Sequence, residues 1–303
     1  MSTILSLFAG LFATALLTNA VGAELKTNLE YGRAGENPLL LDASVPDGVG
    51  PFPVAILVHG GGWSSGDKRG TDKPGSSADI SPWFEPLTAA HFTWFSINYR
   101  LAPRNRWPAC FEDVRTAIRW VKAHAAEFKG DPTRIALFGH SAGGHLACLA
   151  ATQATRETRV QAVVGFAPVT DFEFELPARG GLSPSLQGLF GQPKELNPAS
   201  LALLREAAPI NHVTPGLPPF LLLHGDADKT VPLQESVNFQ EKLKSSGVPC
   251  DLMVIPGAPH RLAEWEKCDP NFANRMILWL RRNLGDPPAK ETPPAAAPAG
   301  STR

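Results

Sequence analysis

Short apolar runs alternate with longer amphipathic segments along the chain from about residue 54 onward. Each run is short and rich in aliphatic or β-branched side chains, which is typical of strands buried on both faces of a parallel sheet. The runs cover residues 54–58, 93–98, 134–138, 160–166, 220–223 and 252–255. Because parallel strands need crossover connections, the pattern predicts an α/β fold with a mostly parallel central sheet and helices on both faces.

Apolar residues in the segments between these runs recur at helical spacing. After Pro108 they are Phe111, Val114, Ile118, Val121, Ala125 and Phe128, and near the end they are Phe272, Met276, Trp279 and Leu280. Residues 171–218 break the alternation, because this stretch is rich in Pro and Gly and has one predicted helix near 200–207. Such an insertion either covers a site or elaborates the surface, and its position between two strands favours a small lid.

The two ends of the chain differ from the central region, residues 24–285. Residues 5–17 are mostly apolar and small residues precede Glu24, so residues 1–23 are predicted to be a cleaved signal peptide. An uncleaved anchor would need about 20 apolar residues. We therefore expect a secreted or periplasmic protein with no stable membrane insertion after cleavage. Residues 286–303 are Pro, Ala and polar residues, which predicts a disordered tail.

Charge and cysteine content exclude several classes of protein. The 28 basic and 29 acidic residues nearly cancel, so nothing indicates binding to nucleic acid or to an anionic membrane. None of the four cysteines forms a C-x-x-C pair, which argues against a zinc ribbon or a redox site. Cys148 is expected in the core. In an oxidising compartment Cys250 and Cys268 are candidates for a disulfide, a pairing that the sequence leaves open.

Two stretches match Gly-x-Ser-x-Gly, a pattern that is weak without its structural context. The first, residues 62–66 with Ser64, leads into a Gly- and Pro-containing loop. The second, residues 139–143 with Ser141, directly follows a predicted strand. It leads into residues 146–151, whose sequence strongly favours a helix. Only the second is a strand, a sharp turn and a helix, so Ser141 is the predicted nucleophile.

A serine nucleophile that attacks a carbonyl needs backbone N–H donors for the developing oxyanion. Residues 59–63, His-Gly-Gly-Gly-Trp, follow the strand at 54–58 and offer consecutive amides. Gly61, Gly62 and Trp63 are the candidates, and the sequence does not choose among them. The N–H of Ala142, next to the nucleophile, is the predicted second donor.

The serine also needs a His base and a carboxylate that orients that His. His260 lies on a loop after the last predicted strand, where a base can reach over the carboxyl edge of the sheet. Asp228 follows the strand at 220–223 and is preferred as the acid over Asp226, which is read as a turn residue. The other histidines are predicted to be structural or have no catalytic context: His59, His91, His124, His140, His145, His212 and His224.

These motifs, in this order, resemble those of α/β-hydrolase esterases of the bifunctional feruloyl and acetyl xylan esterase-like type, near the hormone-sensitive-lipase-type carboxylesterases. The matching stretches are HGGGW (59–63), NYRLAP (98–103), GHSAGGHLA (139–147), HGDADKTVP (224–232) and GAPH (257–260). The resemblance implies an α/β-hydrolase fold and a secreted serine esterase acting on acetyl or feruloyl esters of plant polysaccharide. It implies no metal and no cofactor. It does not extend to the insertion at 171–218.

Two other functions remain open at this stage. A general short-chain carboxylesterase or lipase would use the same three side chains on a different ester. A non-catalytic α/β-hydrolase scaffold used for binding generally lacks a member of the triad, whereas this chain has all three. The expected partner is a small-molecule or polysaccharide ester, and the oligomeric state is not predicted.

Overall fold

Eight strands form a single sheet in the order β1-β2-β4-β3-β5-β6-β7-β8. The computed structural model describes residues 22–70 and 80–286. The strands are β1 Ala23–Ala34, β2 Asn37–Pro46, β3 Phe52–Val58, β4 Thr93–Ile97, β5 Gly130–His140, β6 Ala162–Phe166, β7 Phe220–Gly225 and β8 Cys250–Ile255. Neighbouring strands from β4 to β8 are parallel, whereas β1 pairs antiparallel with β2, and β2 antiparallel with β4. The predicted mostly parallel sheet is confirmed.

All six strands predicted from the apolar runs are present. The main differences lie at their ends: β5 is longer than predicted and reaches His140, the residue before Ser141. Because β3, β5, β7 and β8 run in the same direction, their carboxyl ends meet at one edge of the sheet. The residues that follow these four strands are therefore brought close together.

The antiparallel pair β1 and β2 was not predicted, because its sequence lacks regular alternation. Most of β1 is exposed, and Tyr31 is its one buried residue. Two register shifts, after Lys26 and after Glu30, interrupt its pairing with β2. A bulge moves the following side chains to the opposite face, which removes the two-residue period that marks a strand in a sequence.

Helices cover both faces of the sheet, as predicted. They are α1 Phe84–Ala89, α2 Ala109–His124, α3 Ala142–Thr152, α4 Leu176–Arg179, α5 Pro184–Phe190, α6 Pro198–Ala207, α7 Leu233–Ser245, α8 Trp265–Cys268 and α9 Phe272–Leu284. Short 3₁₀ helices occupy Ser81–Trp83, Ala125–Phe128, Pro209–His212 and Leu262–Glu264. One apolar core packs α2, α3 and α7 on the sheet, and a second core packs α1, α8 and α9 on its other face.

The insertion at residues 171–218 contains three α-helices and the 3₁₀ helix Pro209–His212, and of these only α6 was predicted. The Ser183 hydroxyl accepts the amide of Leu186 at the start of α5, and Gly191 ends that helix in the left-handed conformation. Asn197 and Ser200 form a capping box at the start of α6. Local signals of this kind define short helices well, so each insertion helix is specified by its own sequence.

Cys250 and Cys268, the candidate disulfide pair, are not bonded. All four cysteines lie in the described residues and all are free thiols; Cys250 is buried and Cys268 is exposed. Cys250 begins β8 at the amino edge of the sheet, whereas α8 with Cys268 follows the loop at the carboxyl edge. A disulfide needs Cα atoms within about 7 Å, and the strand separates the two residues. Cys148 is buried in the core, as expected.

The predictions for the two ends of the chain fall largely outside the described residues. Of the predicted signal peptide 1–23 only its last two residues are described, and β1 begins at Ala23. Of the predicted tail 286–303 only Asp286 is described. Within residues 22–70 and 80–286, no helix combines the length and the apolar character that crossing a bilayer requires.

Candidate active site

Ser141 stands on a strained turn between β5 and α3. Its backbone angles are φ 55° and ψ −119°, a conformation that L-residues rarely adopt. A Cβ on Gly139 would lie 2.1 Å from the carbonyl oxygen of Gly143, and a Cβ on Gly143 would lie 2.2 Å from that of Val58. Glycines at these positions therefore allow the turn to close and α3 to pack against the end of β3.

Ser141, His260 and Asp228 form a continuous hydrogen-bonded chain. The Ser141 Oγ is 2.9 Å from Nε2 of His260. The His260 Nδ1 is 2.6 Å from Oδ2 of Asp228. Serine and histidine are each 7% exposed, so the chain is shielded from bulk water but open at the serine. The structure thus brings together the three side chains that the sequence analysis selected.

Asp228 is held as a buried carboxylate. Its Oδ1 accepts the amides of Thr230 and Val231 at 2.7 and 3.0 Å, and its Oδ2 also lies 3.5 Å from Nε2 of His224. Burial raises the pKa of this carboxyl, but the hydrogen bonds from His224 and His260 outweigh burial and hold the pKa well below its ordinary value. Asp228 is therefore ionised and fixes the proton of His260 on Nδ1.

Two neighbouring side chains hold the loop that carries His260. The Nε2 of His140 is 2.9 Å from the carbonyl oxygen of His260, to which it donates. The Oδ1 of Asp226 accepts the amide of Gly257 at 2.6 Å. Asp226 thus stabilises the turn before His260, and its carboxylate takes no part in the Ser141 chain.

The loop after β3 places Gly62 and Trp63 beside Ser141. Gly61, Gly62 and Trp63 all have positive φ, and Gly62 and Trp63 line the same cavity as Ser141. Gly61 lies deeper in the turn, where its carbonyl oxygen accepts the amides of Ser64 and Ser65. Within the described chain, the amides of Gly61, Gly62, Trp63 and Ala142 donate to no protein acceptor. Of the three loop candidates, Gly62 and Trp63 are favoured because they line the cavity of Ser141 and Gly61 does not.

Residues from the motif at 98–103 fasten this loop. The Tyr99 hydroxyl donates to the carbonyl oxygen of His59 at 3.0 Å, and its ring stacks on the His59 ring at 4.3 Å. The amide of Ala102 donates to the carbonyl oxygen of Trp63 at 2.9 Å. Burial lowers the pKa of His59 to about 4, so this imidazole is neutral and structural, as predicted. Ser64, in the other Gly-x-Ser-x-Gly stretch, is exposed in the same turn.

His145, which had no predicted role, connects this loop to the insertion. Its Nδ1 accepts from the Trp63 indole at 3.1 Å, and its Nε2 donates to the carbonyl oxygen of Ala207 at 2.8 Å. Burial lowers the pKa of His145 to about 4, so the ring is neutral and its tautomer is fixed. No local sequence signal marks this residue, because its partners lie 82 and 62 positions away.

A cavity of about 310 Å³ opens onto Ser141. Its apolar wall is formed by Trp63, Val169, Phe172, Leu176, Leu186 and Val231, and its polar wall includes Asp171, Glu175, Arg179, Thr230 and Glu235. Much of this lining comes from α4 and α5 of the insertion and from the turns beside them. The volume is at the lower end for small-molecule sites, so it accommodates a small ester group rather than a long polymer segment.

The arrangement has the parts needed for acyl transfer. A base contacts the hydroxyl, a buried carboxylate orients the base, and unpaired backbone amides belong to residues beside Ser141, as stabilisation of a tetrahedral oxyanion requires. Among residues 22–70 and 80–286, no three His, Cys, Asp or Glu side chains are grouped to hold a metal ion.

Comparison with known proteins identifies the family. The sequence profile of the BD-FAE family matches residues 41–243. The chain belongs to the BD-FAE family. This match covers four of the five motifs behind the esterase resemblance and ends before the one that contains His260. The resemblance to esterases of this type and the α/β-hydrolase fold, both expected from the sequence, are confirmed.

This BD-FAE family member is also similar in sequence to proteins named as esterases. It is 35% identical over 244 residues to the probable carboxylic ester hydrolase LipM of Mycobacterium tuberculosis, a match covering 76% of this chain and 54% of LipM. It spans about half the length of the curated relatives it matches first, with 53% of LipC and 56% of LipQ covered.

Solved structures give the same α/β-hydrolase fold. A truncated carbohydrate esterase from gut microbiota is 25% identical with a TM-score of 0.70, and the match covers 86% of this chain and 96% of that one. An acetyl ester-xyloside bifunctional hydrolase from Caldicellulosiruptor lactoaceticus is 25% identical with a TM-score of 0.67, covering 82% of this chain and 90% of that one.

Proposed function

We propose that this protein is a serine esterase that hydrolyses carboxylic esters through an acyl-enzyme on Ser141. The observation that carries the proposal is the hydrogen-bonded chain from Ser141 through His260 to buried Asp228, which ends at a cavity with free backbone amides. The relatives named as carboxylic ester hydrolases support the same reaction.

In the acylation step, His260 Nε2 takes the proton of the Ser141 hydroxyl as Oγ bonds to the ester carbonyl carbon. The carbonyl electron pair moves onto its oxygen, where Ala142 and either Gly62 or Trp63 donate N–H groups. Collapse of this intermediate breaks the bond to the alcohol oxygen, which takes the proton from His260. Water then attacks the acyl-serine with His260 as base, the carboxylic acid leaves, and the serine regains its proton.

For the substrate, we propose acetyl or feruloyl esters of plant polysaccharide. Two solved structures of similar fold are named as a carbohydrate esterase and an acetyl ester-xyloside hydrolase, which supports this choice. The cavity combines aromatic and aliphatic side chains with carboxylates, a mixture that suits the apolar faces and the hydroxyls of a sugar. The names of LipM and LipC favour a general carboxylesterase as the second candidate.

The experiment for the reaction compares wild type with Ser141→Ala on p-nitrophenyl acetate. We expect kcat to fall at least about 10⁴-fold, because the nucleophile is lost while binding groups remain. Unchanged hydrolysis would refute the serine mechanism. For the substrate, acetylated xylan and methyl ferulate are compared with p-nitrophenyl esters of increasing chain length. A preference for longer aliphatic chains would favour the general carboxylesterase.

We also propose that the protein is exported. The support is the apolar run at residues 5–17, followed by small residues before Glu24. Cell fractionation with amino-terminal sequencing tests this proposal. Mature protein starting near Glu24 outside the cytoplasm is expected, and uncleaved protein in the cytoplasm would contradict it.

A further inference from the structure

Glu235 is a buried carboxyl group at the cavity that contains Ser141, and the reaction described above does not use it. It lies in the first turn of α7 and is 1% exposed. The residue nevertheless lines the cavity together with Ser141 and Thr230. A carboxyl group is rarely buried without a specific partner, because removing its charge from water is costly.

The two oxygens of Glu235 have different surroundings. Oε2 accepts the amide and the hydroxyl of Thr170 at 2.8 and 2.9 Å, and the amide of Asp171 at 2.8 Å. Within the described residues, Oε1 makes no hydrogen bond. One oxygen therefore anchors the loop after β6. The other is not among the fully enclosed unpaired atoms of the described residues, and because Glu235 lines the cavity, we take Oε1 to be the oxygen that a ligand there can reach.

A hydroxyl group is the ligand that suits Oε1. Glu175 and Arg179, which also line the cavity, form a salt bridge with each other, and Arg179 donates to the carbonyl oxygen of Thr230. Oε1 of Glu235 thus has no cation in hydrogen-bonding contact among residues 22–70 and 80–286. A neutral hydroxyl donor would satisfy it, and Phe172 and Val169 offer an apolar surface in the same cavity for the ring that bears the hydroxyl.

We infer that Glu235 is a specificity-determining residue, whose Oε1 accepts a hydrogen bond from a free hydroxyl of the ester's alcohol. The inference rests on the proposed esterase function and adds a criterion for the substrate. Esters of polyols with a free hydroxyl near the scissile bond are preferred over the same esters with every hydroxyl blocked. Such selectivity follows because a hydroxyl-free substrate leaves a buried oxygen unpaired.

This selectivity is expected to depend on pH. Burial raises the pKa of Glu235 to about 7, against the lowering effect of its hydrogen bonds with Thr170 and Asp171. A hydroxyl binds the ionised form more strongly, so the preference for hydroxyl-bearing esters should grow from pH 6 to pH 8. Other charged or titratable groups on the surrounding elements are Asp171, Glu175, Arg179, His224, Asp228, Lys229 and His260.

The test measures kcat/KM for two substrates that have the same single acetyl ester and differ in their free hydroxyls: a monoacetate of methyl β-xylopyranoside and the same monoacetate with its remaining hydroxyls methylated. Both substrates need Ser141 and His260, so any effect of a substitution on these two residues cancels in the ratio of the two kcat/KM values. Glu235→Gln keeps an oxygen for Thr170 and Asp171 but presents an NH₂ group to the cavity. We expect the ratio to fall about tenfold or more, as for loss of a hydrogen bond to a charged group.

Three controls separate selectivity from a structural effect. Hydrolysis of p-nitrophenyl acetate, which has no hydroxyl, measures how far Glu235→Gln disturbs the site in general, and the fall in the ratio should exceed any loss on this ester. Glu241→Gln makes the same chemical change at an exposed position of α7 and should leave the ratio unchanged. Glu235→Asp keeps a carboxyl but withdraws it by one methylene, so it should also lower the ratio.

An unchanged ratio in both Glu235 variants would overturn the inference, as would an equal loss of activity on all three substrates. A wild-type ratio that does not change between pH 6 and pH 8 would also count against it. These results differ from failure of the esterase proposal itself, in which wild type would hydrolyse none of the three esters.

Discussion

At the scale of single residues, the position of the His260 proton depends on one buried carboxylate. Asp228 contacts His260 through Oδ2 and two backbone amides through Oδ1. An amide side chain of the same shape would keep the fold but present an N–H group or a weaker acceptor to Nδ1. The imidazole would then adopt the tautomer that leaves the proton on Nε2, where it cannot accept from Ser141.

We therefore predict that Asp228→Asn lowers kcat by about 10⁴-fold at pH 7. The melting temperature and KM should remain near those of wild type, as steady-state kinetics and calorimetry would measure. Asp226→Asn is the matched control. It affects only the turn at Gly257 and should cost less than tenfold, so a larger loss in Asp226→Asn than in Asp228→Asn would reverse the assignment of the acid.

Glu235 gives a second prediction at this scale, concerning stability. Its pKa is about 7 in the folded protein against an ordinary value of 4.5. As pH rises through this window, the unfolded chain ionises first, so wild type loses stability that Glu235→Gln retains. We expect the free energy of unfolding of Glu235→Gln relative to wild type to rise by about 2 to 3 kcal/mol from pH 5 to pH 8.

Urea denaturation of both proteins at several pH values measures this change. Because pH effects from every other group cancel in the difference between variant and wild type, the remaining change belongs to Glu235. A difference that stays constant from pH 5 to pH 8 would show that this carboxyl titrates at its ordinary value.

Residues with a local signal could be predicted from the sequence, and residues defined by distant partners could not. Ser141 stands in a strand-turn-helix motif, and Asp228 and His260 follow predicted strands. His145 acts through Trp63 and Ala207, and Glu235 through Thr170, all distant in sequence. Such roles appear only when the chain is folded.

At the scale of elements, the contact between α3 and the end of β3 joins the two halves of the site. The backbone of Gly143 lies so close to Val58 and His59 that a Cβ there would be 2.2 Å from the Val58 oxygen. This contact sets the distance between Ser141 and the loop that carries Gly62. A methyl group would have to displace either the helix or the loop.

We predict that Gly143→Ala destabilises the fold by more than about 2 kcal/mol and lowers kcat on p-nitrophenyl acetate at least tenfold. Gly188→Ala is the opposite case, because its Cβ would meet only Pro103 at 3.8 Å within helix α5. Alanine there should stabilise by about 0.5–1 kcal/mol. Thermal unfolding of both variants checks the pair, and equal effects would contradict the packing argument.

Elements differed in how clearly their sequences predict them. α2 and α9 bury apolar side chains along one stripe, so the helical period is plain. α7 was missed, since Glu235 and Ser236 occupy two of its buried positions and obscure the apolar stripe. Its inward polar residues serve the cavity and His224, so the site itself weakened the pattern.

At the scale of the whole molecule, the parallel sheet collects distant residues at one edge. Ser141 and His260 are 119 positions apart, and His260 and Asp228 are 32 apart, yet all three follow carboxyl ends of neighbouring or nearby strands. The fold class could be predicted because alternating strands and helices restrict the topology to few solutions. Whether Cys250 and Cys268 are bonded could not be predicted, because it depends on which edge of the sheet each residue lies at.

The proposed reaction requires that one hydroxyl, at Ser141, be more nucleophilic than every other hydroxyl in the chain. Incubation with a fluorophosphonate, followed by intact-mass measurement and peptide mapping, tests this requirement directly. We predict one label per chain, located on Ser141, with loss of esterase activity in proportion to labelling and no label in Ser141→Ala. Activity that survives complete labelling of Ser141, or stoichiometric labelling of another residue, would contradict the account.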